Sequence, residues 1–337
     1  MSHGLRELPH PRRRRASAAG RSALPWLWRP LRERLDARPA RPHGCRRAAG
    51  VGEGGEPSIA CRAAYQRRSR RGLVKIVCYR TEDGSLRHGV VDDGGKVRDA
   101  GADLFALDAG SRLGALEELE LVAPVPRPGK VVCVGRNYAE HARETGSVVP
   151  DRPQLFAKWA NAVVGPRDDV VLPSITSALD YEAELVVVIG RTAKGVAEER
   201  ALDHVLGYAC GDDVSARDLQ FGDTQWVRGK SLDTFAPTGP WIVTADEIPD
   251  PQDLRIRGLV NGEVRQDDTT ANMLFSVARL IAFTTEAITL EPGDLLFTGT
   301  PPGVGHAMDP PRYLAPGDLV RVEIDGIGAI EHRVVAP

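Results

Sequence analysis

The chain has 337 residues, is 42% hydrophobic and carries a formal net charge of −2. That sum hides a division: of 44 basic and 46 acidic residues, residues 1–72 hold 18 Arg and five acids, leaving 26 basic and 41 acidic residues in 73–337. An acidic body of this length argues against nucleic acid as its partner, since phosphate binding needs a basic surface, and it suffices for a large core in one or two domains.

Residues 1–72 lack apolar periodicity and are rich in Arg, Pro, Ala and Gly, so they are not expected to fold alone. Their Arg13–Arg15 cluster, few acids and scattered Ser resemble a transit peptide; a basic arm for nucleic acid or membrane is a second reading. The favoured reading is a disordered or non-native extension, because Val-Lys-Ile-Val-Cys-Tyr after Leu73 has the pattern of a first strand. Strands are expected at Val74–Arg80, at Arg87–Asp92 beyond the Asp83-Gly84 turn, and at Lys96–Arg98 beyond Gly94-Gly95. Helical residues follow around Leu104–Leu119. Pro124-Val125-Pro126-Arg127-Pro128 reads as a linker, which sets a small N-terminal α/β domain at 73–124 and a main domain at 127–337.

In the main domain the apolar runs predict strands at Lys130–Val134, Glu184–Ile189, Val205–Cys210, Trp241–Thr244, Leu254–Val260, Asp294–Phe297 and Leu319–Ile324. Asn261-Gly262 is a two-residue hairpin signal, and Met273–Leu290 has helical spacing stopped by Pro292-Gly293. Strands outnumber helices without alternating with them, so the class is mainly β with some α (α+β), not a doubly wound sheet. Cys45, Cys61, Cys78, Cys133 and Cys210 show no paired spacing, and the last three sit in apolar strand contexts as buried thiols. A reducing compartment follows, cytoplasmic by default, or the mitochondrial matrix if residues 1–72 are a transit peptide. No run approaches the ~18 apolar residues of a membrane span.

Chemistry concentrates at Asp180-Tyr181-Glu182-Ala183-Glu184, which runs directly into Leu185-Val186-Val187-Val188-Ile189. Residues i and i+2 of a strand share a face, so Glu182 and Glu184 project together from the mouth of a buried strand. Two such carboxylates repel unless a cation holds them, and an oxygen-only pair suits Mg²⁺, Mn²⁺ or Ca²⁺ better than zinc. An isolated Glu-x-Glu is more often a solvated strand end. A further carboxylate candidate lies in Gly211-Asp212-Asp213, just after the strand Val205–Cys210, with Arg217 and Gln220 one helical turn apart downstream and Lys230 beyond. His141 and Glu144 form a second cluster at i, i+3, a dyad able to take a proton from water, although this pair is common on surfaces.

The segments GRNYAEHARE, DYEAEL, GDDVSARDLQ, RGKSLDTFAP and GTPPGVG, in this order, resemble the fumarylacetoacetate hydrolase family over roughly residues 127–337. The resemblance implies a mixed β-sandwich roll, usually a homodimer, with Mg²⁺ or Mn²⁺ on Glu182, Glu184 and Asp213. It implies that His141 and Glu144 activate water from a flexible lid, that Arg217, Gln220, Lys230 and Lys158 contact substrate, and that Thr300 binds its carboxylate. Where the family commonly has Asn, this chain has Asp212, which strand alternation turns away from the ion. Gly299-Thr300-Pro301-Pro302-Gly303 lacks the Gly-Lys-Ser/Thr ending of a phosphate loop. His306 and the basic residues near Arg255–Arg257 read as loop residues.

The expected substrate is a small anionic 2-oxo or 2,4-dioxo acid. The ion chelates its carboxylate and 2-oxo oxygens, His141 activates water against the distal carbonyl, and C–C cleavage leaves an enolate that the metal and Lys230 stabilise. The alternative needs no attacking water: decarboxylation or keto–enol isomerisation of a related diacid, of the oxaloacetate or 2-hydroxyhepta-2,4-diene-1,7-dioate type. A carboxylate-binding protein without turnover would leave the dyad without purpose.

Overall fold

The computed structural model describes residues 75–92, 94–108 and 110–337; the readings of residues 1–72 and the thiols Cys45 and Cys61 lie outside them. The first strands are β1 (Lys75–Arg80), β2 (Leu86–Val91), β3 (Lys96–Gly101), β4 (Arg112–Ala115) and β5 (Glu120–Val122). The helix expected over 104–119 does not form. That stretch gives β4, on the edge of β3, and one 3₁₀ turn at Leu116–Glu118. Gly110 and Gly114 weaken a helix there, and pairing with β3 supplies backbone partners a helix would otherwise provide. The Pro-rich stretch 124–128 is not a solvated tether, because Val125 packs in a main core.

Next come β6 (Val131–Gly135), α1 (Ala139–Glu144), β7 (Gln154–Lys158), β8 (Val163–Val164), β9 (Val170–Val171), β10 (Leu179–Asp180) and β11 (Ala183–Ile189). After β12 (Val205–Asp212) and β13 (Ser215–Ala216), two short helices follow, α2 (Arg217–Gly222) and α3 (Val227–Lys230). The chain closes with β14 (Ala236–Thr244), β15 (Arg255–Val260), β16 (Glu263–Thr269), α4 (Val277–Ala287), β17 (Leu295–Phe297), β18 (Leu319–Ile324) and β19 (Gly328–Val335). The Asn261-Gly262 hairpin is present, with φ of 53° and 80° at its two residues, the left-handed pair such a turn requires. Helix α4 is shorter than its apolar pattern. Ser276 caps it by accepting from Arg279 N, and the β-branched Ile288 is already extended.

The largest sheet runs β4-β3-β2-β1-β14-β12-β11-β17-β6-β7, and a five-stranded sheet runs β16-β15-β18-β19-β9. Strand β11 is buried on both faces, which is why it reads as an unbroken apolar run. Val186 and Val188 enter one core; Leu185, Val187 and Ile189 enter the other, against α4 and the five-stranded sheet. The apolar pattern of the sequence does not reveal strands β16 and β19. β16 is mostly polar, and in β19 the inward set Ile330, His332, Val334 contains a histidine. Among the described residues no helix is long and apolar enough to cross a membrane.

Candidate active site

The β11–β12 pairing sets the acidic cluster. Ala183 lies opposite Asp212 and Glu184 opposite Gly211, so the mouth of β11 and the end of β12 meet. Glu182, Glu184 and Asp213 are buried, and each offers an oxygen within 4.8 Å of the others. Asp212 points the other way. Its Oδ1 accepts from Glu182 N at 2.7 Å, and its Oδ2 lies 3.1 Å from His332 Nε2 of β19.

Three cations pair with Glu182 and Asp213 of the cluster. Lys230 Nζ, delivered by α3, donates to Glu182 Oε2 and Asp213 Oδ2, both at 2.8 Å. Lys158 Nζ donates to Asp213 Oδ1 at 2.5 Å and to Val214 O at 3.0 Å. Arg217, at the start of α2, donates to Glu182 Oε1 (2.6 Å), Asp180 Oδ2 (2.8 Å) and Gln220 Oε1 (3.0 Å). Burial alone would raise Glu182, but Lys230 and Arg217 outweigh it and hold its carboxyl below the usual range. Glu184 behaves oppositely: burial, then the charges of Asp213 and Glu182, push it well above that range. Its Oε2 accepts only a backbone donor, Gly299 N at 2.7 Å. Three oxygen donors with one uncompensated carboxyl fit a hard divalent cation, which would bring Glu184 the counter-charge it lacks.

Beside the cluster lies an open cleft whose wall includes His141, Glu182, Arg217, Gln220, Lys230 and Thr300. His141 Nδ1 is 2.8 Å from Glu144 Oε1, and Glu144 Oε2 accepts from Gly303 N at 2.8 Å. That leaves Nε2 as the ring nitrogen without a hydrogen bond among the described residues, and His141 lines the cleft. Asn137 pins the turn before α1: its side chain donates to Phe275 O and Thr298 O and accepts from Phe275 N. Lys158 does not line the cleft; its side chain is fully buried behind Asp213. Thr300 does line it, with its hydroxyl donating to Ala183 O (2.9 Å) and accepting from Gln266 Nε2 (2.8 Å).

The N–H groups of the three loop glycines are engaged by carboxylates, not offered to a phosphate. Gly299 serves Glu184, Gly303 serves Glu144 and Gly305 serves Asp180. Gly299 (φ 97°) and Gly303 (φ 110°) adopt backbone that L side chains rarely reach. His306 is in a 3₁₀ turn, not an open loop, with its Nδ1 at 2.8 Å from Tyr313 OH. Arg255 and Arg257 lie on β15, paired with Asp267 and Glu323. Asp180, Asn137 and Gln266 were not singled out from sequence. Asp180 had a signal, its place two residues before Glu182; the other two act through partners more than 30 residues away.

Comparison with known proteins agrees with this geometry. Residues 130–335 match the family described as fumarylacetoacetate (FAA) hydrolase, C-terminal. The chain is 46% identical over 232 residues to a mitochondrial oxaloacetate tautomerase of Xenopus laevis, covering 68% of this chain and 73% of that protein. A fumarylacetoacetate hydrolase from Exiguobacterium antarcticum superposes with a TM-score of 0.71 at 38% identity, covering 78% of this chain and 100% of that one. A 2-hydroxyhepta-2,4-diene-1,7-dioate isomerase from Mycobacterium marinum gives 0.66 at 37%, covering 78% and 98%. With the sheet order, the three converging carboxylates and these matches together, the chain belongs to the fumarylacetoacetate hydrolase family of enzymes.

Proposed function

We propose that this protein is a divalent-metal-dependent keto–enol tautomerase of a small 2-oxo dicarboxylic acid of the oxaloacetate type. The observation that carries the reading is one cleft bordered by both a carboxylate cluster suited to a hard cation and an imidazole oriented by a carboxylate. The reactions named for the Xenopus laevis and Mycobacterium marinum relatives, tautomerisation and isomerisation, support a proton shift over the hydrolysis expected from the motifs. When bound, the divalent ion would supply Lewis-acid polarisation of the 2-oxo group.

The residues of the chain move and hold the proton. Glu144 at Nδ1 keeps the His141 ring in the tautomer whose Nε2 is a proton acceptor, and Nε2 takes a proton from substrate C3. The Lys230 ammonium sits beside the cluster, where it offsets negative charge gathering on the 2-oxo oxygen. Delivery to that oxygen of the proton held at Nε2 completes the shift, and no water is consumed. Hydrolysis stays the second reading, since the same dyad would take a proton from water and the Exiguobacterium antarcticum relative is named a hydrolase. The mitochondrial designation of the Xenopus laevis relative supports the transit-peptide reading of residues 1–72 over a cytoplasmic location.

The test follows enol–keto interconversion of oxaloacetate in the ultraviolet with Mg²⁺, with Mn²⁺ and with excess chelator, alongside cleavage of acetylpyruvate. Metal-dependent acceleration of the interconversion is the expected result. Acetylpyruvate cleavage without any such acceleration would make the protein a hydrolase.

A further inference from the structure

The cleft has three cationic side chains, and two are already neutralised. Arg217 is held by Asp180 and Glu182, and Lys230 by Glu182 and Asp213. The third, Arg136, has no carboxylate partner among the described residues. Its Nη1 donates to the neutral Gln154 Oε1 at 3.2 Å, and its guanidinium lies 5.2 Å from the centre of the Trp226 ring. Part-burial pulls the guanidinium below its ordinary pKa. The backbone at Arg136 also carries a cost, with φ at 57°, a left-handed value that long side chains rarely adopt. The bonds of the adjacent Asn137 hold that conformation and so keep Arg136 on the cleft wall.

Between Arg136 and the metal-ligand cluster the wall is aromatic. Lys230 Nζ lies 5.1 Å from the Phe156 ring centre, and Phe156 meets Trp226 edge-on at 5.5 Å. The cleft therefore has a cationic, metal-binding end, an apolar middle and a second cation at the far end with most of its donors unused. A guanidinium in this state matches a carboxylate, which it grips with two parallel N–H bonds.

We propose that Arg136 binds the second carboxylate of the substrate and thereby selects dicarboxylates over monocarboxylates. This rests on the tautomerase reading for the identity of the first carboxylate and the 2-oxo group. Gly135 permits the arrangement, since a Cβ there would stand 2.8 Å from the Trp226 ring and displace it from Arg136.

The test uses the full chain loaded with Mn²⁺, as wild type, Arg136→Met and Arg136→Lys. Kinetics compare oxaloacetate with its 4-ethyl ester, which keeps the shape and loses the second charge. Calorimetry compares L-malate with L-lactate, which share the 2-hydroxy acid head. Arg136→Met is expected to reduce the diacid-to-ester preference in kcat/KM, and the malate-to-lactate preference in affinity, by about 10- to 100-fold. Arg136→Lys should recover part of both. Equal effects on the dicarboxylate and monocarboxylate members of each pair overturn the proposal, as does a wild type without malate preference. If the wild type binds malate selectively yet tautomerises neither substrate, the selector stands and the tautomerase reading falls.

Discussion

Glu184 and His141 divide the work at the scale of single residues, and each predicts a separate signature. Glu184, a ligand in the proposed metal site, is the least compensated carboxyl of the cluster. Glu184→Gln keeps the shape and removes the charge. It should abolish Mn²⁺ binding by calorimetry together with turnover, while the metal-free protein melts at an unchanged or higher temperature. A metal-free protein that loses its fold would instead make Glu184 a structural residue. His141→Ala acts on the proton alone. Positioned general-base catalysis is worth about 10²–10⁴-fold, so kcat should drop within that range with Mn²⁺ affinity unmoved. Glu144→Gln preserves an acceptor for Gly303 N but weakens the orientation of the ring, and should cost less than loss of the imidazole. Unchanged kcat in His141→Ala would place the base elsewhere.

At the scale of elements, the meander β1–β3 carries a cross-strand cluster that sets an acid limit. Arg87 of β2 donates to both oxygens of Asp99 on β3, at 2.8 and 2.5 Å, and Tyr79 OH of β1 donates at 2.7 Å. The Arg87 hydrogen bonds, against a smaller burial effect, lower the Asp99 carboxyl to about 2. A carboxyl depressed in the folded state adds stability above its unfolded value and loses that stability as pH falls through the folded value. Asp99→Asn should therefore melt below wild type at pH 6, and the gap should close between about pH 4 and pH 2. A gap that stays constant with pH would mean packing, not charge, sets the difference. The same scale shows what the sequence reveals. Strands β11 and β12 are legible because most of their residues are buried on both faces and apolar, and Glu182, Glu184 and Asp213 at their ends meet in the structure. β16 hides its one deeply buried side chain, Gln266, in a polar run, and what that residue does, holding Thr300 from 34 positions away, has no local signal. Arg136 lies within the GRNYAEHARE motif, but its want of a counter-ion among the described residues is a property of the assembled cleft.

At the scale of the whole molecule, the cores bury every cysteine among the described residues. Burial pushes the Cys78 thiol up to about 11, and it raises Cys133 and Cys210 well above their usual value. Thiolate, not thiol, is the reactive form, so at pH 8 iodoacetamide should leave all three unmodified in the native protein and label them only on unfolding. Peptide mapping by mass spectrometry separates them from Cys45 and Cys61. Native-state labelling of Cys133, which lies on β6 near Asp213 and Glu184, would show that the core opens at the site.

The loop from Gly299 to Gly305 gives the molecule a crossbar. Its amides grip Glu184 at one end, Glu144 in the middle and Asp180, the anchor of Arg217, at the other. The proposed metal ligand, the partner of the proposed base and the anchor of Arg217 thus lean on one strip of backbone. Seating Mn²⁺ against Glu184 should therefore quieten α1, although none of its residues is a ligand. Slower amide hydrogen exchange across Ala139–Glu144 would register it, and Glu144→Ala, by cutting the middle grip, should erase the response.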